Sequence, residues 1–248
     1  LASHFSVLVF NVLGCSRAPD GEPAQESDEP LPVANLRETL QRIRAMDPAD
    51  PSLLQEAWND AIKFREDALA AFRLGYIRLN QRAMAEQLSW TCAKEISSKL
   101  PTDEPIHEDL LGLQQALAWT YYSNMSIFRS APDTWAIDQL FPVMPIHRLN
   151  EYPSELGQFA DLTWDSDGKL SRFIHRGSNK SLLELHPLQD NQPYWIGMFL
   201  GGAYQEVMGN LHNLFGSTNA VHVRLNPRGG GYLLDHVLKG DTNANVLE

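Results

Sequence analysis

Cysteine is scarce in this sequence, two in 248 residues, and that scarcity excludes a disulfide-built scaffold. Cys15 follows a strand-like run and Cys92 lies in a helical pattern. The count leaves one bridge open but favours a reducing, cytosolic compartment. Long apolar runs are also missing. None approaches the roughly 18 residues of a membrane span, and the run at 5–14 has no basic lead to make it a signal peptide. Basic residues are few, 20 Lys and Arg against 31 Asp and Glu, for a formal net charge of −11. A nucleic-acid partner asks for a basic face, so that balance argues against one. Metal-ligand spacing is absent too. His107-Glu108 has no second histidine four residues on, and His175, His186, His222 and His236 share no ligand pattern.

What is present is a change of period along the chain. Residues 2–14 are β-branched and aromatic, a strand ended by Gly14. Residues 16–33 hold four prolines and a cluster of acids, which reads as a loop or a disordered linker. From Asn35, placed as a helix cap, the spacing becomes helical. Leu36, Leu40 and Ile43 share one face, and Asp47-Pro48 ends the helix. Ser52 with Gln55 reads as a capping box for a second helix with Leu54, Trp58, Ala61, Ala68 and Phe72 on one side. A third runs from Asn80 to Ser98 on Met84, Leu88, Cys92 and Ile96, and a fourth starts near Ile106 with Leu110, Leu113 and Leu117. After Trp119 the pattern returns to strands, including a closing hairpin, Asn219 to Leu225 and Tyr232 to Leu238. Its three glycines make a turn, not a phosphate loop, because no helix bearing Lys-Ser/Thr follows. The expected organisation is α+β: a β-domain strand at 1–15, a loop at 16–34, an inserted helical bundle at 35–119 and a β-domain at 120–248. Both chain ends read as internal to a longer polypeptide.

Two stretches carry chemistry. The strand-like Tyr194–Leu200 runs into Gly201-Gly202-Ala203-Tyr204-Gln205-Glu206. Without Cβ atoms at 201 and 202 a backbone or an anion can come close, Ala203 keeps the approach open, and the Tyr204 phenol can donate to a bound oxyanion. A strand-to-helix turn with a packed tyrosine is an equal reading of those residues. In Leu162-Thr163-Trp164-Asp165-Ser166-Asp167-Gly168, two carboxylates two residues apart make an acidic turn, and a hairpin loop with Asx capping fits as well.

The run Gly202-Ala203-Tyr204-Gln205-Glu206, followed by Gly209-Asn210-Leu211-His212-Asn213-Leu214-Phe215-Gly216, resembles the signature of the biosynthetic arginine decarboxylases. Phe128 to Gln139, Leu162 to Gly168 and Lys239-Gly240-Asp241-Thr242 also resemble that family, as do Glu56 to Lys63, Leu74 to Tyr76 and Ala85 to Leu88 in the helices. Arg129 stands where the family usually has glutamine.

The resemblance implies the C-terminal portion of such an enzyme, a β-sandwich or barrel-like domain carrying an inserted helical bundle. The pyridoxal-phosphate-binding α/β barrel, roughly 250 residues, would lie outside this chain and carry the Schiff-base lysine. The activity implied is a carboxy-lyase converting L-arginine to agmatine and carbon dioxide in polyamine and spermidine biosynthesis. Tyr204, with Gly202 and Ala203, would hold the pyridoxal phosphate, and Asp165 and Asp167 would bind the substrate guanidinium. The position of the family's proton-donating cysteine is Trp164, and an indole has no acidic proton to give. Magnesium is a further family cofactor, with no residues nominated here. The family also implies a cytoplasmic homo-oligomer whose sites are completed across a dimer interface. By this reading the segment alone is inactive. The alternative is a non-catalytic regulatory paralogue that pairs with an active decarboxylase subunit.

Overall fold

A computed structural model describes residues 4–46, 51–100, 111–163, 168–176, 178–202 and 205–248. The chain divides into two compact units, residues 17–119 and residues 1–16 with 120–248.

The first unit is helical: α1 (Leu31–Ala45), α2 (Pro51–Arg73), α3 (Leu79–Lys99) and α4 (Leu111–Leu117). Leu36, Leu40 and Ile43 of α1 are fully buried, with Leu54, Ala57 and Ala61 of α2, Leu88, Cys92 and Ile96 of α3, and Leu113 of α4. The period of 3.6 places each set on one face, and the three long helices pack those faces together. Two starts differ from expectation. α1 begins at Leu31, because Pro32 suits a first helical turn. Asn35 therefore lies inside the helix, where its carbonyl accepts from Thr39 Oγ1 at 2.9 Å. Likewise α2 begins at Pro51, which puts Ser52 in its first turn. The expected start of the fourth helix at 106–110 lies outside the described residues.

The acidic, proline-rich segment before α1 is irregular but held. Arg37, on α1, is buried to 7% exposure. Its guanidinium donates to Glu29 at 2.6–3.1 Å, to the Pro23 carbonyl at 3.2 Å and to the Ala24 carbonyl at 3.3 Å. One planar fork thus satisfies a carboxylate and two carbonyls that the prolines leave without regular partners.

The second unit is built on a seven-stranded, barrel-like sheet in the order β3 (Val143–Pro145), β9 (Tyr194–Gly202), β1 (His4–Ser16), β2 (Trp119–Ser123), β4 (Glu155–Ala160), β5 (Lys169–Leu170), with β8 (Leu183–Leu185) also on β4. β1 is antiparallel to both of its neighbours, and Ser16 pairs with Thr120, so the helical unit is inserted between adjacent positions of one sheet. Phe10, Tyr121, Phe159 and Phe173 fill the core, with Phe159 edge-on to the other three at 5.5–6.3 Å. A Cβ on Gly157 would stand 2.7 Å from the Tyr121 ring, so that glycine makes the ring's space. Two ribbons stand apart, β6 (Phe173–His175) with β7 (Ser178–Lys180), and β10 (Ala220–Leu225) with β11 (Tyr232–Leu238). Gly229, Gly230 and Gly231, at φ 75–85°, form the turn of the second ribbon. Among the described residues the unit also has four short helices: α5 (Ile127–Ser130), α6 (Pro132–Ala136), α7 (Gln205–Met208) and α8 (Asn243–Leu247). Both cysteines are free. Cys92 is buried, which pushes its thiol up to about 12.

Replacing Arg37 by methionine leaves Glu29 buried without its cation, and a loss of about 3–5 kcal/mol in urea unfolding at neutral pH is expected. The hydrogen bond from Arg37 holds Glu29 below the usual carboxylate range. The stabilisation is therefore present above that range and lost as pH falls through the depressed value. The difference between parent and variant should shrink at acid pH.

Candidate functional site

The geometry begins where β9 meets β1. Register passes from Leu8 opposite Met198 to Ser6 opposite Gly201, one extra residue on β9. Leu200 takes the left-handed conformation at φ 61° within this bulge, a strained arrangement of the kind that re-aims a strand end. A Cβ on Gly201 would lie 2.5 Å from Ser6 Oγ, which donates to the Gly201 carbonyl at 2.9 Å, so a side chain there would have to turn that hydroxyl away from its bond. The close approach expected at Gly201 is thus made by the neighbouring strand. Gly202 ends β9, half-buried and opposite His4. Ala203 and Tyr204 lie outside the described residues.

The acidic run is bounded by described residues, although Trp164, Asp165 and Asp167 are themselves outside them. Before it, Thr163 donates from its backbone N–H and its hydroxyl to Asp161 Oδ1, at 3.1 and 2.6 Å. After it, the Gly168 carbonyl accepts from the Asp161 N–H at 2.9 Å. Asp161 is 7% exposed. A Cβ on Gly168 would fall 2.1 Å from its Oδ2, so only glycine fits there.

Both stretches converge on α5 and α6. Asp161 Oδ2 accepts from the Ile127 N–H at 2.9 Å and caps α5 with Ser126, whose hydroxyl accepts from the Arg129 N–H at 3.3 Å. From the other stretch, Gln205 Nε2 of α7 donates to Asp133 of α6. A Cβ on Gly209 would lie 2.1 Å from the Arg129 carbonyl. His212 pairs with Ser126 Oγ at 3.3 Å, and its ring lies against Phe128, tilted by 40° at 4.9 Å between centroids. Its neighbours Asn213 and Leu214, both at positive φ, turn the chain so that Phe215 pairs back with His212. Arg129, 5% exposed, donates to Ser217 Oγ at 3.2 Å. Ser217 in turn donates from its N–H to Asp241 of the closing motif at 2.8 Å.

The strand pattern expected after Trp119 ends at Ser123 and gives way to the helical turns α5 and α6. The strand stops there because Asp161 and Ser126, whose hydroxyl also pairs with His212, cap a helical turn. Trp135 is 57% exposed, and the buried residues of this α5–α6 corner combine polar Ser126, Arg129 and Ser130 with apolar Met125, Ile127 and Ala131. Asp161 was missed as a site-building residue and no local pattern marks it; Asp133, Gln205 and His212 lie in runs that resemble the family, but no role in building the site was assigned to them. A cavity of about 170 Å³ beside the corner is lined by Phe128, Trp135, Asp138 and the stretch from Gly168 to Arg172. His222 and His236 face each other across the β10–β11 ribbon at 5.6 Å. Among the described residues no group of three or more His, Cys, Asp or Glu could hold a metal ion. No helix among them is long and apolar enough to cross a membrane.

A Gly201→Ala variant should lose about 1–3 kcal/mol by overpacking against Ser6. Adding Ser6→Gly should return part of that loss, measured by urea unfolding of the two variants. Equal stability of the single variant and the parent would refute the close-approach account.

Three comparisons bear on this architecture. Residues 26–114 match the family model described as the arginine decarboxylase helical bundle domain. The whole chain is 64% identical over 251 residues to a biosynthetic arginine decarboxylase of Prochlorococcus marinus strain MIT 9303, and 65% identical over 249 residues to one of Synechococcus sp. strain RCC307. It spans 39% and 38% of the lengths of those two proteins. The crystal structure of the biosynthetic arginine decarboxylase of Campylobacter jejuni superposes with a TM-score of 0.70 at 30% identity, covering 94% of this chain and 36% of that one. With identity along its full length and a matching fold, this chain belongs to the biosynthetic arginine decarboxylase family, as a segment about two fifths the length of its relatives.

Proposed function

We propose that this chain is part of a pyridoxal-phosphate-dependent carboxy-lyase that converts L-arginine to agmatine and carbon dioxide for polyamine and spermidine biosynthesis. The observation that carries the reading is the 64% identity, over the chain's full length, to a protein named for arginine decarboxylation. The reading goes with a cytoplasmic homo-oligomer whose sites are shared across a dimer interface.

The donor chemistry at the end of β9 fits the phosphate of the cofactor. Gly202 is half-buried and without a side chain, Ala203 adds little bulk, and the Tyr204 phenol donates to a phosphate oxygen. The aldehyde end of the cofactor does not find its amine here. The resemblance puts the Schiff-base lysine in an α/β barrel outside these residues, and on this reading the segment alone is inactive. When bound, pyridoxal phosphate supplies an electron sink for the pair released as carbon dioxide leaves. Asp165 and Asp167 accept the planar guanidinium fork of the substrate, a pairing in which charge-assisted hydrogen bonds are strongest. Trp164 occupies the position from which a thiol would return a proton to the substrate carbon. Magnesium is the further cofactor that the family resemblance implies, and no group of three or more ligand side chains among the described residues nominates a place for it.

Trp164 favours a second reading, a regulatory paralogue that pairs with an active decarboxylase subunit and does no chemistry itself. Carbon dioxide release from arginine by the full-length parent protein with added pyridoxal phosphate, beside its Trp164→Cys variant, separates the two. Steady turnover by the parent is expected for the enzyme. Turnover by the cysteine variant alone, or by neither protein, would overturn the enzyme reading in favour of the paralogue.

A further inference from the structure

Among the described strands, β10 and β11 pair only with each other. Their register sets Val221 beside Val237, Val223 beside Leu234 and Leu225 beside Tyr232. Side chains alternate across a strand, and the irregularity at Asp235 keeps Val237 on the side of Leu234, so these six share one face of the ribbon. All six are exposed, at 45–84%. The polar side chains stand on the other face, where His222 meets His236 and Arg224 donates to Asp235 at 2.6 and 2.8 Å. A hairpin of two strands has little stability of its own in water, and an unmixed apolar strip marks a surface that becomes covered.

We propose that this face is an interface between two copies of the chain, packed ribbon on ribbon. Two features select a second copy over a different partner. Each chain has a formal net charge of −11. Two such chains repel, and they meet at least cost where neither presents a charge, as on these six residues. The face is also graded in size, from the Val221–Val237 pair at one end to the Leu225–Tyr232 pair at the other. A two-fold axis running across the strands at the Val223–Leu234 pair lays Leu225 over the partner's Val221 and Tyr232 over the partner's Val237. Large then meets small at both ends, the condition for side chains of stacked sheets to interdigitate. The same axis places Leu234 over its own counterpart. A homo-oligomer belongs to the function proposed above, and the inference rests on that reading for the second copy alone, not for the chemistry.

The test weighs the full-length polypeptide and its Leu234→Lys and Leu234→Glu variants by sedimentation equilibrium. Across the axis each variant sets like charges face to face, so each alone should sediment at about half the parent's mass. An equal mixture sets lysine against glutamate and should return to the parent's mass. A monomeric parent, or a mixture that stays at half, overturns the proposal. So do single variants that keep the parent's mass, which would leave the face to another segment of the same polypeptide. Where a charge unfolds the protein, Leu234→Thr decides, because threonine suits a strand. Its dissociation constant should rise at least about tenfold for the lost leucine burial, and an unchanged constant overturns the proposal. Carbon dioxide release from arginine, measured on the parent in parallel, judges the functional reading separately. Its absence beside a restored mass in the mixture fails that reading and supports the interface.

Discussion

A helix that starts beside a sheet exposes N–H groups that its own turns cannot satisfy. At Ile127 that need is met by Asp161, a carboxylate from the far end of β4. Much of the geometry around the candidate site depends on this one bond. It allows the chain to leave β2 and fold into the α5–α6 corner instead of continuing as a strand. The same carboxylate holds Thr163, so the corner and the acidic run share an anchor. Because the corner also receives Gln205, Gly209 and His212, the glycine-rich stretch after β9 is tied to the same place.

Close approach is the second constraint. Gly201, just before the run that resembles the family signature, and Gly209 and Gly216 within it are small for reasons internal to the fold: Gly201 meets Ser6, Gly209 meets the Arg129 backbone, and Gly216 meets Asp241. Each removes a side chain where two backbone segments or a backbone and a short side chain are pressed together. The signature therefore records packing at these positions, and any role in cofactor contact falls on Gly202, Ala203 and Tyr204. Arg129, a departure from the family's glutamine, is accommodated by the same logic. Its long stem lies buried and its guanidinium reaches Ser217, joining the corner to the closing motif.

The helical unit was legible in the sequence because its information is local. Leu36, Leu40 and Ile43, or Met84, Leu88, Cys92 and Ile96, lie within a few turns of one another, and the period alone assigns them to a face. Helix starts were less legible, since the prolines at 32 and 51 outweighed the polar residues chosen as caps. The segment before α1 read as a linker, and only the fold reveals that Arg37 organises it. The corner was the least legible element. The partners that hold the start of α5 come from 34 and 86 residues away, and the serine that crowds Gly201 lies 195 residues from it. A pattern read along the chain has no access to contacts at that separation. The family resemblance located the chemistry-bearing runs, but it said nothing of Asp161 or of what joins those runs.

A double-mutant cycle between Asp161→Asn and His212→Ala, read by urea unfolding, tests the shared anchor most directly. Asp161 touches Ile127 and His212 touches Ser126, so both act on the start of α5. A coupling of about 0.5–3 kcal/mol is expected if the two stretches are held through that turn. Effects that add to within about 0.3–0.5 kcal/mol would mean that the stretches are anchored independently, and would contradict the account.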